Sequence, residues 1–349
     1  MKIYINGKYL LTRLTGVQRV ATEIVNSMTN VIRTDDSAVE LIVLTPPEWL
    51  SKSYFRPILA LLWEQVVLPI RSRDGMLLSL CNTGPVFFKK NHVIVLHDAA
   101  VFDFPQNYSK KYVFVHRLLM KLHAKNAARL FTVSLFSQKQ LSKHLDVEKS
   151  KISLLGEGVE HIKRLNPNMG ILDKLGVAAG EYIVAVGSRQ PGKNFSALCE
   201  ATKIGKFSIP VVIVGGYDKT VFSKTDSDVN DNVIDAGYVD DDELVALIKN
   251  AKAYVQPSLY EGFGLPVAEA MCLGVPVLCS HAASLPEVCG DAAIYFDPHS
   301  PSDISEKINN FINNESKHTE YRDACEKRSL LYSWDRSAEN LLSELKSIG

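Results

Sequence analysis

Short runs of apolar residues alternate along the chain with longer stretches in which apolar positions recur every three or four residues. The short runs are continuous, which is typical of parallel strands covered on both faces of a sheet. The longer stretches have the period of helices. The pattern predicts α/β domains with doubly wound parallel sheets. The predicted strands are 2–5, 41–45, 76–80, 93–97, 130–134, 152–155, 182–187, 211–215, 233–239, 253–257, 275–280 and 292–296.

This alternation stops between residues 157 and 180, where an Asn-Pro-Asn sequence at 166–168 and several glycines indicate a linker. A chain of 349 residues is long for one hydrophobic core. We therefore predict two Rossmann-like domains, 1–165 and 166–330, that face each other across a cleft. A C-terminal helix within 331–349 is expected to pack back toward the N-terminal domain. Because ligands of such sheets bind beyond the carboxyl ends of the strands, the loops after the strands are the candidate site.

Charge is unevenly distributed, although the 39 basic and 39 acidic residues balance over the whole chain. Residues 1–165 hold 23 Lys and Arg against 13 Asp and Glu, and the remainder holds 16 against 26. A net charge of +10 beside one of −10 suggests two domains with different partners. The alternative is two domains whose surfaces differ in charge without a functional reason.

Cysteine usage and the N-terminal sequence indicate a cytoplasmic protein. None of the six cysteines forms a C-x-x-C pair, so neither a disulfide framework nor a zinc site is predicted. The N-terminus reads as a first strand and lacks the apolar stretch of a signal peptide. The most apolar window, 57–70, is interrupted by Glu64 and Gln65 and is too short to span a bilayer.

The strongest chemical signal is the sequence from Glu261 to Glu269, directly after a predicted strand. Its glycines let the backbone approach a ligand closely, and Pro266 suits the first turn of a helix. A helix N-terminus with free N–H groups suits an anionic diphosphate. One carboxylate would then reach sugar hydroxyls and the other a ribose diol. A pair of glutamates at this spacing is otherwise typical of a solvated helix face.

Two cations, Arg189 and Lys193, lie on the loop after the strand predicted at 182–187. Cations at the end of a strand would neutralise the charge that builds up on a departing diphosphate. The loop lacks the spacing of a P-loop, so ATP hydrolysis is not indicated. Isolated surface charges are the alternative interpretation.

Two features of the first half are weaker candidates. His97 ends a predicted strand, where it would contact a transferring sugar or orient an acceptor; a buried structural histidine is the alternative. Gly16 opens an amphipathic helix whose N–H groups would face the diphosphate. A simple helix start explains Gly16 almost as well.

The chain resembles the family-four retaining glycosyltransferases of GT-B fold, whose E-x7-E motif matches Glu261 to Glu269. The resemblance extends over nearly the whole chain and is specific for the fold and reaction type but not for the sugar. Further segments are similar to family members that build bacterial surface polysaccharides: GVQR at 16–19, WEQ at 63–65, HD at 97–98, SLFS at 134–137, SLPEVCGD at 284–291, FDP at 296–298 and YSW at 332–334.

The resemblance implies a role for each matching residue. Glu269 would hold the ribose hydroxyls and Glu261 the hydroxyls of the donor sugar, while Arg189 and Lys193 would bind the diphosphate. His97 would face the sugar, and Gly16 would let the loop of the first domain approach. The backbone amides of Phe263, Gly264 and Leu265 would assist Glu261, and Tyr238 and Val239 would flank the nucleobase.

These roles imply a retaining hexosyltransferase that uses no cofactor and no metal. No Asp-x-Asp motif is placed to clamp a metal–diphosphate, and the aspartates 240–242 read better as a helix N-terminal cap. GDP-mannose is favoured slightly as the donor, with UDP-hexoses and dTDP-rhamnose compatible. The acceptor would be a growing surface polysaccharide on a lipid carrier.

A basic amphipathic stretch at 109–129 is a candidate for peripheral contact with anionic lipid, because lysines and arginines punctuate its apolar residues. An ordinary packed helix with a solvated basic face explains the same pattern. Nucleic acid is not indicated, since no recognition motif appears.

Two other functional classes remain open. One is a related enzyme that needs no acceptor, such as a nucleotide-sugar 2-epimerase. The other is a non-catalytic nucleotide-sugar-binding subunit, against which the four charged residues Arg189, Lys193, Glu261 and Glu269 argue. A dehydrogenase is poorly supported, because no G-x-G-x-x-G sequence follows a strand.

Overall fold

The computed structural model describes residues 1–34, 38–51, 56–88, 91–216 and 232–348, and it divides into two compact units. The first unit comprises Met1–Phe102, Phe114–Gly158 and Ser333–Gly349. The second unit comprises Asp103–Val113 and Val159–Tyr332. Each unit contains one six-stranded sheet in which every pair of neighbouring strands is parallel.

The first sheet has the strand order β2-β1-β3-β4-β5-β6. The order reverses beside β1, so β1 and β3 flank a topological switch point at which open α/β sheets commonly bind ligands. The strands are β1 (Lys2–Asn6), β2 (Glu40–Leu44), β3 (Met76–Ser79), β4 (His92–Val95), β5 (Arg129–Thr132) and β6 (Ile152–Leu154).

The second sheet has the order β12-β11-β10-β7-β8-β9, which is the strand order of a Rossmann fold. Its switch point lies between β7 and β10, which pair through Ala253 and Ile183 and through Tyr254 and Val184. The strands are β7 (Ile183–Val186), β8 (Val211–Val214), β9 (Val233–Gly237), β10 (Ala253–Gln256), β11 (Val277–Ser280) and β12 (Ala293–Phe296).

Helices lie between most of the consecutive strands, since parallel neighbours need a crossover connection. A π-helical turn, Trp63–Val67, joins the third helix to the fourth. The helices are α1 (Gly16–Thr34), α2 (Glu48–Ser51), α3 (Arg56–Leu62), α4 (Leu68–Arg71), α5 (Ala100–Asp103), α6 (Lys110–Asn126), α7 (Leu135–Leu145), α8 (Gly170–Leu175), α9 (Phe195–Gly205), α10 (Asp241–Lys249), α11 (Leu265–Cys272), α12 (Leu285–Cys289), α13 (Pro301–Ile312), α14 (His318–Ser329) and α15 (Trp334–Ile348).

All twelve predicted strands are confirmed, with ends that shift by one or two residues. The central strands are buried along their whole length, which is why their sequences are continuously apolar. In the second unit the core includes Phe195, Leu198 and Phe311, which helices α9 and α13 pack against the sheet.

The region that the sequence predicts as a linker contains a 3₁₀ turn, Glu160–Arg164, and helix α8. The chain passes from the first unit to the second after Phe102, for the short segment Asp103–Val113, and again after Gly158. The C-terminal helix α15 packs on α1 within the first unit.

The aspartates at 240–242 begin a helix, as the sequence predicts. The side chain of Asp240 accepts a hydrogen bond from the amide of Glu243, and the Glu243 carboxylate accepts one from the amide of Asp240. This capping box satisfies two amide groups at the start of α10.

Candidate active site

Two loops of the second unit begin side by side at the switch point of its sheet. One follows β7 and carries Arg189 and Lys193, and the other follows β10 and carries Glu261. Because β7 and β10 are parallel neighbours, their carboxyl ends lie at the same edge of the sheet. The fold of the second unit therefore brings the predicted cations and the first predicted carboxylate together.

Glu261 is the centre of a buried polar cluster, and only 9% of its surface is exposed. One carboxylate oxygen, Oε1, accepts three hydrogen bonds: from Lys193 Nζ at 2.7 Å, from Gln256 Nε2 at 2.9 Å and from Ser258 Oγ at 2.7 Å. Among the described residues, none donates to the other oxygen, Oε2. The three donors therefore immobilise the carboxylate of Glu261 and leave one of its oxygens unused.

The sequence-based search missed the residues that hold Glu261. Three polar side chains occupy alternate positions along β10 and just after it, and so lie on one face: Tyr254, Gln256 and Ser258. Tyr254 donates from its hydroxyl to Gln256 Oε1 at 2.6 Å, and this bond orients the amide whose nitrogen reaches Glu261. Burial and the nearby negative charges of Glu261 and Glu269 raise the pKa of Tyr254 well above its usual value. Polar residues at alternate positions of an otherwise apolar strand were the available signal.

Glu269 lies in the second turn of α11 and is 6% exposed. His161 donates from Nε2 to Glu269 Oε1 at 2.8 Å, since an ionised carboxylate only accepts. No other side chain in the described ranges bonds to Glu269. His161 belongs to the 3₁₀ turn Glu160–Arg164, and the sequence-based search missed it because it lies in the predicted linker.

The start of α11 presents backbone donors beside Glu261. Gly264 has a φ of +100°, a conformation that favours glycine, and it precedes the helix whose second residue is Pro266. The amides of Phe263, Gly264 and Leu265 donate to no acceptor in the described part of the chain. Ser284 holds this segment in place, because its hydroxyl contacts the carbonyl oxygens of Glu261 and Phe263 at 3.0 and 2.9 Å.

The cation loop is held by contacts of its own. Arg189 is paired with Asp235, and its guanidinium lies 5.5 Å from the centre of the Phe195 ring. Asn107 accepts a hydrogen bond from the amide of Gly192 at 2.9 Å. Asn107 is also a residue that the sequence-based search missed. Of the two predicted cations, Lys193 contacts Glu261 directly, and Arg189 is held toward β9 instead.

Tyr238 and Val239 follow β9 and have different environments. Tyr238 is 56% exposed, whereas Val239 is buried. Gly237, before them, has a φ of +64° that lets the chain turn at the end of the strand. An exposed aromatic ring at this edge offers a face on which a flat ligand can stack.

In the first unit His97 is buried, and its ring is already partly engaged. Its Nε2 donates to the carbonyl oxygen of Leu80 at 2.8 Å, and its Nδ1 lies 4.0 Å from Glu157. Burial lowers the pKa of His97 to about 4, so the ring is neutral at neutral pH. A neutral ring that donates from Nε2 offers Nδ1 as an acceptor, but it supplies no proton for acid catalysis.

Gly16 is exposed at the start of α1, and a Cβ atom added there would meet nothing within 4 Å. The conformation of the first unit therefore does not itself require glycine at this position. As for metals, the described residues contain no group of three or more His, Cys, Asp or Glu side chains arranged to hold an ion.

Comparison with known proteins gives this site a family. The model of the family "Glycosyl transferases group 1" matches residues 173–329, which include the cation loop and both glutamates. The O-antigen chain mannosyltransferase B of Escherichia coli is 29% identical over 75% of this chain and 73% of its own. The O-antigen chain mannosyltransferase RfbU of Salmonella typhimurium is 30% identical over 63% of this chain and 61% of its own.

Solved structures share the fold of the whole chain. Anabaena HepE in complex with UDP-glucose aligns with a TM-score of 0.73, at 16% identity over 99% of this chain and 100% of its own. WaaG, a glycosyltransferase involved in lipopolysaccharide biosynthesis, aligns with a TM-score of 0.69, at 14% identity over 99% of both chains. The protein has the GT-B fold, and its residues 173–329 match a group 1 glycosyl transferase domain.

Proposed function

We propose that the protein transfers a hexose, with retention of the anomeric configuration, from a nucleotide-sugar to a growing bacterial surface polysaccharide. GDP-mannose is the favoured donor, because the two relatives described above are named as mannosyltransferases of O-antigen chains. UDP-hexoses and dTDP-rhamnose are the alternatives. The second unit is the donor-binding domain and the first unit the acceptor domain.

The main support for this proposal is the hydrogen bonding of Glu261 and Glu269. Each has one oxygen engaged by protein donors and a second oxygen without a donor among the described residues. A mostly buried anion with spare acceptor capacity suits a ligand that brings hydroxyl groups. We assign Glu261 to the hydroxyls of the donor sugar and Glu269 to the ribose diol, with Tyr238 and Val239 beside the nucleobase.

The leaving diphosphate is stabilised by charges and dipoles at the same edge. Lys193, Arg189 and the amides of residues 263–265 supply donors to the oxygens on which negative charge grows. This set needs no metal ion. The acceptor hydroxyl attacks from the face that the phosphate leaves and passes its proton to a phosphate oxygen, so the bond to the acceptor forms as the bond to phosphate breaks.

For the first unit, we propose that His97 accepts a hydrogen bond from a sugar hydroxyl through Nδ1, in keeping with its neutral state. Gly16 leaves room for the donor at the start of α1. A His97→Asn variant tests the first assignment, because the amide keeps an acceptor of similar reach, whereas His97→Phe removes it.

A donor panel tests the function. Thermal shift with GDP, UDP, dTDP and their sugar conjugates should give one clearly stabilising nucleotide, since a ligand that binds the folded state raises its stability. Transfer from the matching donor is then followed by NMR of the anomeric proton, with and without EDTA. A product of retained configuration formed equally in EDTA agrees with the proposal, and an inverted product contradicts it.

The same assay separates the two rival classes. A nucleotide-sugar 2-epimerase would change the donor in the absence of any acceptor. A non-catalytic binding subunit would be stabilised by the nucleotide-sugar but would neither transfer nor epimerise the sugar with any acceptor lipid supplied.

We further propose that the first unit rests on an anionic bilayer at the inner face of the plasma membrane. No helix in the described ranges is long and apolar enough to cross a membrane. An apolar row on α3, the π-turn and α4 is nevertheless exposed: Ile58 by 60%, Leu62 by 54%, Val66 by 52% and Ile70 by 62%. A π-turn holds more residues than an α-turn, so it keeps this row of every fourth residue on one face.

Exposed cations accompany this row, which favours anionic lipid over a neutral partner. Arg71 and Arg73 follow the row and are exposed. The stretch at 109–129, predicted as a basic amphipathic helix, forms α6, and its Phe114 and Leu118 are 72% and 50% exposed. An exposed apolar face edged by cations suits the headgroup region of a bilayer.

Vesicle co-sedimentation tests the membrane contact. Binding should be strong with phosphatidylglycerol and weak with phosphatidylcholine alone. Ile58→Ser with Ile70→Ser should reduce it if α3 and α4 carry the contact, and Phe114→Ser with Leu118→Ser should reduce it if α6 does. Ile204→Ser, which changes an apolar residue 52% exposed in the second unit, is the control. Equal binding to both lipids would contradict the proposal.

A further inference from the structure

His161 is the one described side chain that bonds to Glu269, and both are nearly removed from solvent, at 3% and 6% exposure. The imidazole comes from the turn at Glu160–Arg164, and this turn packs on α11, which carries Glu269. A carboxylate that is desolvated and poorly bonded is costly. The histidine therefore compensates for the burial of Glu269.

The bond does more than compensate, because it also decides which oxygen of Glu269 is available. A glutamate side chain has several rotamers, and its terminal torsion is broad. Since Nε2 engages Oε1, the rotation of the carboxylate is fixed and Oε2 becomes the oxygen with unused acceptor capacity. A ligand that donates hydroxyl hydrogens would then meet an acceptor whose orientation is set before binding.

We propose that His161 is a positioning residue that makes the donor site selective for the ribose diol of a nucleotide. This inference rests on the proposed function of Glu269. His161 does not contact the ribose itself. It orients Glu269, and Glu269 distinguishes a ribose with two hydroxyls from one without them.

The test compares the affinity of the wild-type protein for GDP with its affinity for 2′,3′-dideoxy-GDP by calorimetry. If GDP does not bind, UDP and 2′,3′-dideoxy-UDP replace the pair. Wild-type protein should prefer the ribonucleotide by about tenfold or more, as expected for hydrogen bonds to a charged acceptor. His161→Phe keeps an aromatic ring but removes the donor, and its preference should fall to about threefold or less. His161→Gln keeps a donor and should restore most of the preference.

A change in ribose preference separates positioning from a merely structural role. A structural defect would weaken GDP and dideoxy-GDP alike and leave their ratio unchanged. His318→Phe is the matched control. His318 belongs to the same unit, begins α14, and bonds through Nε2 to the carbonyl oxygen of Phe311 in α13 at 2.8 Å. Its ratio should equal that of the wild type.

NMR of the wild-type protein labelled with ¹⁵N-histidine provides a second measurement, which does not depend on whether the substituted proteins fold. The Nε2 resonance of His161 should shift on addition of GDP and respond much less to dideoxy-GDP. An unchanged ratio in His161→Phe, or equal shifts with both nucleotides, would overturn the inference while nucleotide binding stands. Failure of wild-type protein to bind any nucleoside diphosphate would instead overturn the proposed function.

Discussion

Glu261 combines burial with a full set of donors on one oxygen only. Lys193, Gln256 and Ser258 converge on Oε1, and the hydroxyl of Tyr254 orients Gln256 in turn. Such a cluster holds the carboxylate in one orientation, which is what electrostatic preorganisation requires. The geometry assigns to Glu261 a role that depends on charge as well as on shape.

Glu261→Gln should lower kcat by about a hundredfold, because the neutral amide no longer balances the cation of Lys193 and its NH2 group competes with the three donors. The affinity for the nucleoside diphosphate should change much less, since that ligand lacks the transferred hexose that Glu261 is proposed to contact. Steady-state kinetics and calorimetry on the same sample measure both quantities. Glu200→Gln, at an exposed site paired with Lys203, is the control. Wild-type turnover in the Glu261 variant would remove this residue from the mechanism.

Asp235 pairs with Arg189 and would compete with the diphosphate that we propose Arg189 to bind. The pair is partly exposed, and such pairs are worth little to stability, so breaking it costs little. Asp235→Asn keeps an oxygen for the bond to the amide of Gly237 but removes the negative charge. We expect the variant to bind GDP about three times more tightly while its affinity for guanosine stays the same. Unchanged GDP affinity would mean that Arg189 does not reach the diphosphate.

At the residue scale, the sequence predicted the charged members of the site but not the residues that orient them. Glu261 and Lys193 stood beside glycines in loops after strands, which is a local pattern. His161 lies 108 positions before Glu269, and Asn107 lies 85 positions before Gly192. No periodicity links residues at such separations, because only the tertiary fold brings them together.

At the scale of elements, the ends of β7 and β8 approach each other more closely than side chains permit. Gly215 follows β8 with a φ of +137°, and a Cβ atom there would lie 1.9 Å from the carbonyl oxygen of Gly187. The amide of Gly187 bonds to Val214, and the amide of Gly215 bonds to Gly237. Two glycines thus allow the loops beside the cation site to begin in contact.

Gly215→Ala should destabilise the protein by about 3 kcal/mol or more, because backbone must move to relieve the clash. Gly176→Ala is the control, since Gly176 also has a positive φ, +67°, but a Cβ atom there meets nothing within 4 Å. That change should cost only about 1 kcal/mol. Urea unfolding of both variants measures the difference, and equal losses would show that the close approach is not a constraint.

Strands could be predicted better than connections, and the reason is physical. Continuous apolar runs reflect burial on both faces, which the inner strands β3, β4, β7, β8, β10 and β11 share, whereas the edge strands β2 and β9 are mostly half-buried or exposed. The turn at Glu160–Arg164 has no such signature, since its form depends on packing against α11. The stretch therefore reads as a linker in sequence, although it carries a residue of the candidate site.

At the scale of the whole molecule, the two units differ in their buried ionisable groups. The first unit buries three histidines whose pKa values burial lowers: His92 to about 3, His97 to about 4 and His123 to about 4. His92 and His123 also repel each other's charge, at a ring separation of 5.7 Å. Glu64 acts in the opposite direction on His123, and Glu157 lies 4.0 Å from His97.

The stability of the first unit should therefore fall as the pH decreases from about 6.5 toward 4.5. Over this range the unfolded chain binds protons at these histidines, whereas the folded unit does not bind them until lower pH. Each histidine contributes a slope of up to about 1.4 kcal/mol per pH unit. Well above pH 6.5 the three rings are neutral in both states, so their contribution to the pH dependence disappears.

Tryptophan fluorescence isolates this effect, because Trp49, Trp63 and Trp334, the three tryptophans of the sequence, all belong to the first unit. Urea unfolding followed by fluorescence at pH 7.5, 6.5, 5.5 and 4.5 should show a steepening loss of stability below 6.5. His97→Gln keeps a donor for Leu80 but does not titrate, so it should reduce the slope by up to one proton. A flat profile would mean that the buried rings take up protons without unfolding, and the assignment of a neutral His97 to the candidate site would then have to be withdrawn.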